Sequence, residues 1–316
     1  MLKKLLLTIL LIPAVALAWE PTKPIIAIVG FAPGSGNEIA FRQASIIVQK
    51  NNPKASFVIE NKPGADAVVS QNHMMTVAPD GYTVSVPSHM SLFVTNDIWQ
   101  RDIKKFQYDS FTNVVTLGKS PLAVVANTKS VISTPHEFKI LLQMGYRPVN
   151  VAIGGGAHQM AYEYIMYKAN GNRDQVKMIR YQGPLQAVTA VAGEQTEFGI
   201  MPIAVARPLI EAGKVKLIGL TGDSVNGMPT MSKEIPGLRV YAGWMVSLPP
   251  GTPKEVIAWY QREFSRAIRS REYQQWAKDN YIFTVDTELT PQGTLKYAEE
   301  LRHSFAPIIP LISTDK

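Results

Sequence analysis

Residues Ile25 to Arg42 constrain the fold more than any other stretch. Five apolar residues, Ile25-Ile-Ala-Ile-Val29, run into a corner rich in glycine and proline, Gly30-Phe31-Ala32-Pro33-Gly34-Ser35-Gly36. Five residues are too few for a buried helix, and their β-branched content predicts an interior strand covered on both faces. Gly30, Pro33, Gly34 and Gly36 force the chain to turn. Asn37 is then placed to cap a helix whose inward stripe is Ala40, Ala44, Ile47 and Val48. At such a strand-to-helix corner the first amide groups of the helix have no internal partner and carry the positive end of the dipole. The corner therefore suits an anion, with Pro33 stiffening it and Gly34 and Gly36 allowing an oxygen close to the backbone. The same corner also serves as a plain tight turn, and it is not a nucleotide motif. No Lys-Ser/Thr pair follows Gly36, and Ile39 holds the third glycine position of the dinucleotide pattern.

What precedes this unit reads as an export signal. Lys3 and Lys4 are followed by an apolar run, Leu5 to Leu17, and by the small-residue site Ala16-Leu17-Ala18. That pattern predicts a signal peptide over residues 1–18, cleaved before Trp19, and so export of the mature chain. With no cysteine in the sequence, neither lipid attachment at the cleavage site nor disulfide or cysteine-metal chemistry is available. No later apolar run approaches the roughly 18 residues that a membrane helix needs. Removing 18 of 316 residues leaves 298, enough for two domains, and loss of two lysines lowers the formal charge from +7 to +5. The densest basic cluster, Arg262, Arg266, Arg269 and Arg271, lies on a late amphipathic helix without aromatic neighbours for base stacking. It reads as a solvated face, and no nucleic-acid partner is expected.

Strand and helix then alternate. Ser56–Glu60 reads as a strand, Asn61 to Gly64 as a turn, Asp66 to Val77 as a helix, and Tyr82–Val86 as a strand leading to Pro87-Ser88-His89. This order predicts an α/β fold with a mostly parallel sheet and ligands at the carboxyl ends of its strands. Ser88 and His89 become candidates there, His89 as a donor to an acid or as an ordinary loop histidine. Residues 93–121 read as a surface crossover. Beyond it the pattern restarts with strand Leu122–Ala126, helix Pro135 to Met144 and strand Asn150–Ile153. A second glycine corner, Gly154-Gly155-Gly156-Ala157-His158, opens a helix that carries Met160, Ala161, Tyr164 and Ile165 inward. Strand Lys177–Arg180 meets a third corner, Tyr181-Gln182-Gly183, before Pro184 at a helix start. Glu197–Met201 and Val215–Leu220 return to the sheet on either side of a helix kinked at Pro208. Tyr241–Leu248 is apolar, and the last 60 or so residues are helical by period. The chain thus leaves one lobe (19–121 plus 240–316), builds a second (122–239) and returns, with a hinge between them.

The residues Phe31-Ala-Pro-Gly-Ser-Gly-Asn-Glu-Ile-Ala-Phe-Arg42 resemble the first-loop signature of the periplasmic receptors of tripartite tricarboxylate transporters, the Bug or TctC-like family. Further matches follow in the family's order: Glu60 to Ala65, Ala78 to Thr83, Tyr181 to Gly183, Glu211 to Lys214, and Pro250 to Glu255. They span essentially the whole mature chain. The resemblance implies a two-lobed periplasmic-binding-protein fold of the Venus flytrap, type II-like kind. It implies a monomer that takes a small di-, tri- or aromatic carboxylate in the interlobe cleft and passes it to membrane permease subunits. It implies ligand contacts at Phe31, Ala32, Pro33, Gly34, Ser35, Gly36 and Asn37, at Tyr181, Gln182 and Gly183, and at Gly155, Gly156, His158 and Met201, to which the loop reading adds Ser88 and His89. No metal and no cofactor are expected. Ser35, Asn37 and Glu38 depart from the usual glycine, threonine and aspartate. Met201 stands where many relatives carry an aspartate, which favours a plain or aromatic carboxylate over an amino acid. Phe31, Tyr181 and Trp244 are available to line a pocket for a ring or to pack in the core.

Two other classes compete. An exported hydrolase would need a Gly-x-Ser-x-Gly elbow or a His-Glu-x-x-His pair, and neither is present. His73, His89, His136, His158 and His303 show no metal-ligand spacing, and nothing places a base beside Ser35. A ligand-sensing partner of a membrane sensor would use the same cleft.

Overall fold

The computed structural model describes residues 19–225 and 227–312; the expected signal peptide lies outside them. β1 (Ile25–Val29), α1 (Gly36–Asn51), β2 (Phe57–Asn61), α2 (Val68–Met74) and β3 (Thr83–Ser85) form the first block. A π-type turn (Ser91–Thr95) and α3 (Asn96–Trp99) lead to β4 (Thr112–Asn127). There follow α4 (Pro135–Met144), β5 (Val149–Ile153), α5 (Gly156–Ala169), β6 (Val176–Arg180), α6 (Pro184–Ala192), β7 (Phe198–Pro202), α7 (Ile203–Glu211) and β8 (Val215–Leu220). β9 (Tyr241–Leu248) precedes the closing helices α8 (Lys254–Arg269), α9 (Arg271–Asp279), α10 (Pro291–Phe305) and α11 (Ile309–Ile312).

One nine-stranded sheet carries all of this, in the order β2-β1-β3-β9-β4-β7-β5-β6, with β8 also on β4. The outer strands are parallel: β1 with β2 and β3, and β5 with β6 and β7. Where the two halves meet, every pairing is antiparallel (β3 with β9, and β4 with β9, β7 and β8), so the sheet as a whole is mixed. The parallel part is legible as apolar runs between helices. The antiparallel part depends on returns from distant segments, which carry no local signal.

The long strand β4 joins the halves. Thr112 to Pro121 pairs with β9, and Leu122 to Asn127 pairs with β7 and β8. Residues 93–121 are therefore not a surface crossover. Phe93, Val94, Val114, Val115 and Leu117 are buried, and Thr112–Pro121 is the first half of the strand. The polar residues that hid it are paired internally. Ser247 Oγ donates to Asn113 Oδ1 at 2.6 Å, and Lys119 Nζ lies 2.6 Å from Glu288 Oε1 and 3.9 Å above the Tyr297 ring. Two register shifts, at Asn113/Val115 and Thr116/Gly118, bend β4 before it enters the second half.

Helix starts also differ in detail. Ser35, not Asn37, is the N-cap of α1, in extended conformation with no side-chain cap bond. Asn37 instead donates from Nδ2 to the Val86 carbonyl at 2.9 Å, tying α1 to the end of the third strand. α2 begins only at Val68, because Gly64, Ala65, Asp66 and Ala67 all have positive φ (144°, 48°, 52° and 72°).

Candidate functional site

The first corner keeps some of its amides for itself. Glu38 folds back to accept the Gly34 amide at 3.1 Å, the Arg42 guanidinium at 2.6 Å and Asn61 Nδ2 at 3.3 Å. Burial works to raise the Glu38 carboxyl pKa, but these donors together hold it below the usual range. Its charge is thus paired with Arg42. The Ser35 amide closes a turn onto the Ala32 carbonyl at 3.2 Å, and the Ile39 amide already bonds the Ser35 carbonyl. Gly34 and Ser35 are therefore not free donors, whereas the amides of Gly36, Asn37 and Glu38 have no acceptor among the described residues. Ser35 Oγ, beside them, is buried without a partner. A Cβ at Gly36 would overlap the indole of Trp244, so glycine there lets the helix start against that ring. Ala32, Pro33 and Gly34 are exposed, while Phe31 packs partly on the core and its carbonyl accepts from Asn61 Nδ2 at 3.0 Å.

In the other half, the second and third corners abut: a Cβ at Gly154 would overlap the Gly183 carbonyl group. Gly155, at φ 153°, is the N-cap of α5, and Gly183 is the N-cap of α6. The Tyr181 amide extends the parallel pairing to the Ile153 carbonyl at 2.8 Å, Tyr181 itself packs partly on the core, and Gln182 is exposed. In the first turn of α5, His158 is 7% exposed, with Nδ1 unpartnered. Burial outweighs the opposing pull of the nearby Gly154 backbone and draws the imidazole pKa down to about 4, so the ring is neutral.

Three of the expected contacts lie within the packed fold. Ser88 is buried and bridges in β fashion to Trp244. His89 is 1% exposed, with its ring centroid 5.8 Å from Phe93 and 5.0 Å from Tyr297 and its Nε2 3.1 Å from Thr116 Oγ1. Burial, with Lys119 beside it, drives its pKa well down. The chain turns helical just after Pro87, which carries the ring under the sheet. Met201 is fully buried and pairs in register with Ala123, its methyl group against the bare Cα of Gly199. Side-chain alternation along β7 sends it into the core.

One residue outside the sequence reading connects the halves. Asp66, on the left-handed turn before α2, accepts from Thr95 Oγ1 at 2.5 Å, and its carboxylate lies beside Ser91 and against the backbone of Gly156 at the start of α5. A Cβ at Gly156 would overlap its carboxylate, so only glycine admits it. Behind it, a Cβ at Gly30 would overlap Ala67, which seats this turn directly under the first corner. The first corner, the Asp66 turn, the α5 start and the α6 start are thus consecutive neighbours along one seam. The seam continues where the π-type turn packs against α5, where Tyr164 meets Phe305 at 5.0 Å, and where Arg180 lies 6.0 Å from the Trp99 ring. Asp66 was readable only as an ordinary residue at a helix start. The available signal was Pro63-Gly64 followed by an aspartate, a residue that tolerates positive φ.

Two recesses lie elsewhere. One of about 450 Å³ is lined by Ser130, Arg147, Glu194 and Glu197 at the far ends of β5 and β7, and one of about 250 Å³ by Gln274, Lys278, Tyr281 and Phe283. Among the described residues no group of three His, Asp or Glu side chains is placed to hold a metal ion, and no helix is long and apolar enough to cross a membrane.

Residues 40–312 match the model of a family described as the tripartite tricarboxylate transporter family receptor. A UPF0065 protein of Bordetella pertussis is 24% identical over 260 residues, covering 79% of this chain and 76% of its own. Among solved structures, R. palustris Rpa4515 with adipate superposes with a TM-score of 0.82 at 17% identity, covering 91% of this chain and 96% of that one. MatC from Rhodopseudomonas palustris with bound malate gives 0.78 at 20% identity, covering 90% and 99%.

Proposed function

The chain belongs to the tripartite tricarboxylate transporter family of receptors, and on that premise we propose that it captures a small carboxylate between its lobes and delivers it to the permease subunits of such a transporter. Residues 19–121 with 240–316 form one lobe in this reading and 122–239 the other. Export follows from the signal peptide over residues 1–18, and the receptor works in the periplasm as a monomer. In this reading it performs no chemistry on its ligand.

The observation that carries the reading is the chemistry of the seam. The start of α1 brings unpaired amides to it, the starts of α5 and α6 border it, and a carboxylate, that of Asp66, already sits there. Adipate and malate, held by two proteins of the same fold, belong to the same chemical class. Micromolar affinity requires about 8 kcal/mol. Hydrogen bonds to a charged group contribute roughly 1.5–3 kcal/mol each, so four of them cover that sum before the cost of ordering. Amide donors suit an acceptor-only guest, and they stay uncharged when the site is empty.

A thermal-shift screen of mono-, di- and tricarboxylates, aromatic acids included, tests the reading. Its control is Gly183→Val. Gly183 has extended backbone (φ −168°), and a Cβ there meets only the end of the flexible Gln186 side chain, so the variant should fold. The expected outcome is an unchanged melting temperature without ligand and loss of stabilisation by whichever acid stabilises the wild type. Normal stabilisation of the variant would remove the α6 corner from the site.

A further inference from the structure

We propose that Asp66 is the specificity-determining residue of this seam: its carboxylate sits against the start of α5, where a ligand's second acid group would come, so the receptor takes monocarboxylates and rejects diacids. The inference rests on the carboxylate reading above and narrows it.

The position of Asp66 is built rather than incidental. Three consecutive non-glycine residues, Ala65, Asp66 and Ala67, sit at positive φ, a conformation that L-residues adopt at a cost and that persists where the surroundings enforce it. Ala67 is wedged beneath Gly30, which stops the turn from backing away. The carboxylate accepts from Thr95 Oγ1 and lies beside Ser91 and the Gly156 backbone, all neutral groups. Among the described residues no Lys, Arg or His is paired with it, and burial raises its pKa with no cation beside it to offset a second negative charge. A ligand carboxylate brought to Gly156 would meet the Asp66 carboxylate at contact distance. Both cannot be ionised there. The amides of Gly36, Asn37 and Glu38 in the first corner remain open for a single acid group, and Glu38's own charge is already paired with Arg42. Nearby, the neutral His158 ring adds no positive charge that could reverse this preference.

The experiment compares the mature wild type with Asp66→Gly, which also relieves the strained turn, and Asp66→Asn, which keeps the shape without the charge. Affinities for butyrate and benzoate are measured against those for succinate and adipate by titration calorimetry near neutral pH. The wild type should bind the monoacids and bind the diacids at least about tenfold more weakly, the scale of one pK unit of like-charge interaction. Asp66→Gly should reverse that ratio by tightening diacid binding while leaving monoacid binding within about threefold. If Asp66→Gly does not fold, the isosteric Asp66→Asn must show the same change in direction. Equal affinity for both acid classes in the wild type, or an unchanged ratio in the folded variants, overturns the inference while leaving the carboxylate reading in place. Failure of every acid with all three proteins overturns both.

Discussion

His158 shows how a single buried side chain writes itself into the pH dependence of the whole. Its imidazole is held neutral down to about 4, whereas in the unfolded chain it protonates near its ordinary value of 6.5. Between those values the unfolded chain binds a proton that the folded one refuses, so stability is full above the upper value and falls as pH drops through the window. The loss reaches about 2.5 kcal/mol near pH 4.5, taking 1.36 kcal/mol per pK unit. His158→Gln should therefore lose less stability than the wild type between pH 7 and pH 4.5, by about that amount, in urea titrations. His89, shifted in the same direction, leaves part of the acid sensitivity in the variant. Parallel pH slopes for wild type and variant would mean that His158 is not buried as described. Glu38 illustrates a different residue-scale lesson: its identity was legible in the sequence, but its direction was not. A carboxylate in the first turn of a helix can face a ligand or the chain before it, and here contacts from Gly34, Arg42 and Asn61 decide for the chain.

At the scale of elements, helix starts with chemical punctuation were readable and strands with polar interiors were not. α4 was expected from Pro135 to Met144 and is found over those residues. Its start carries a capping box, in which Thr134 Oγ1 accepts the Glu137 amide at 3.2 Å and the Glu137 carboxylate accepts the Thr134 amide at 3.1 Å. Removing one side of that exchange with Thr134→Ala should lower stability by about 1 kcal/mol without altering ligand binding, as read by denaturant melts with and without ligand. No loss at all would show that the exposed cap is redundant. β4 is the opposite case. Thr112, Asn113, Thr116, Gly118, Lys119 and Ser120 give its first half the composition of a loop, because the partners that satisfy them (Ser247, His89 and Glu288 among them) lie far away in sequence. The helix expected from Asp66 fails for a related reason. The residues are compatible with a helix start, but the turn is held left-handed by what it touches in both halves.

For the whole molecule, continuity across the halves is the governing fact. β4 runs through both, and one buried cluster includes Ile28, Phe41 and Trp259 together with Phe138, Ile165 and Phe198. Such coupling predicts a single calorimetric transition for the ligand-free protein, with calorimetric and van't Hoff enthalpies equal. Two resolved transitions would show that the halves unfold separately and that the shared core is weaker than its burial suggests.

The amino-acid sequence alone determined the α/β alternation, the three glycine corners and the family, because each is a short-range pattern: apolar runs, turn residues, and motifs in a fixed order. Only the tertiary structure decided which corner amides stay open, that His89 and Met201 are core, and that Asp66 spans the seam. Those outcomes depend on which distant groups compete for the same hydrogen bond or the same space, and that competition exists only once the chain has folded.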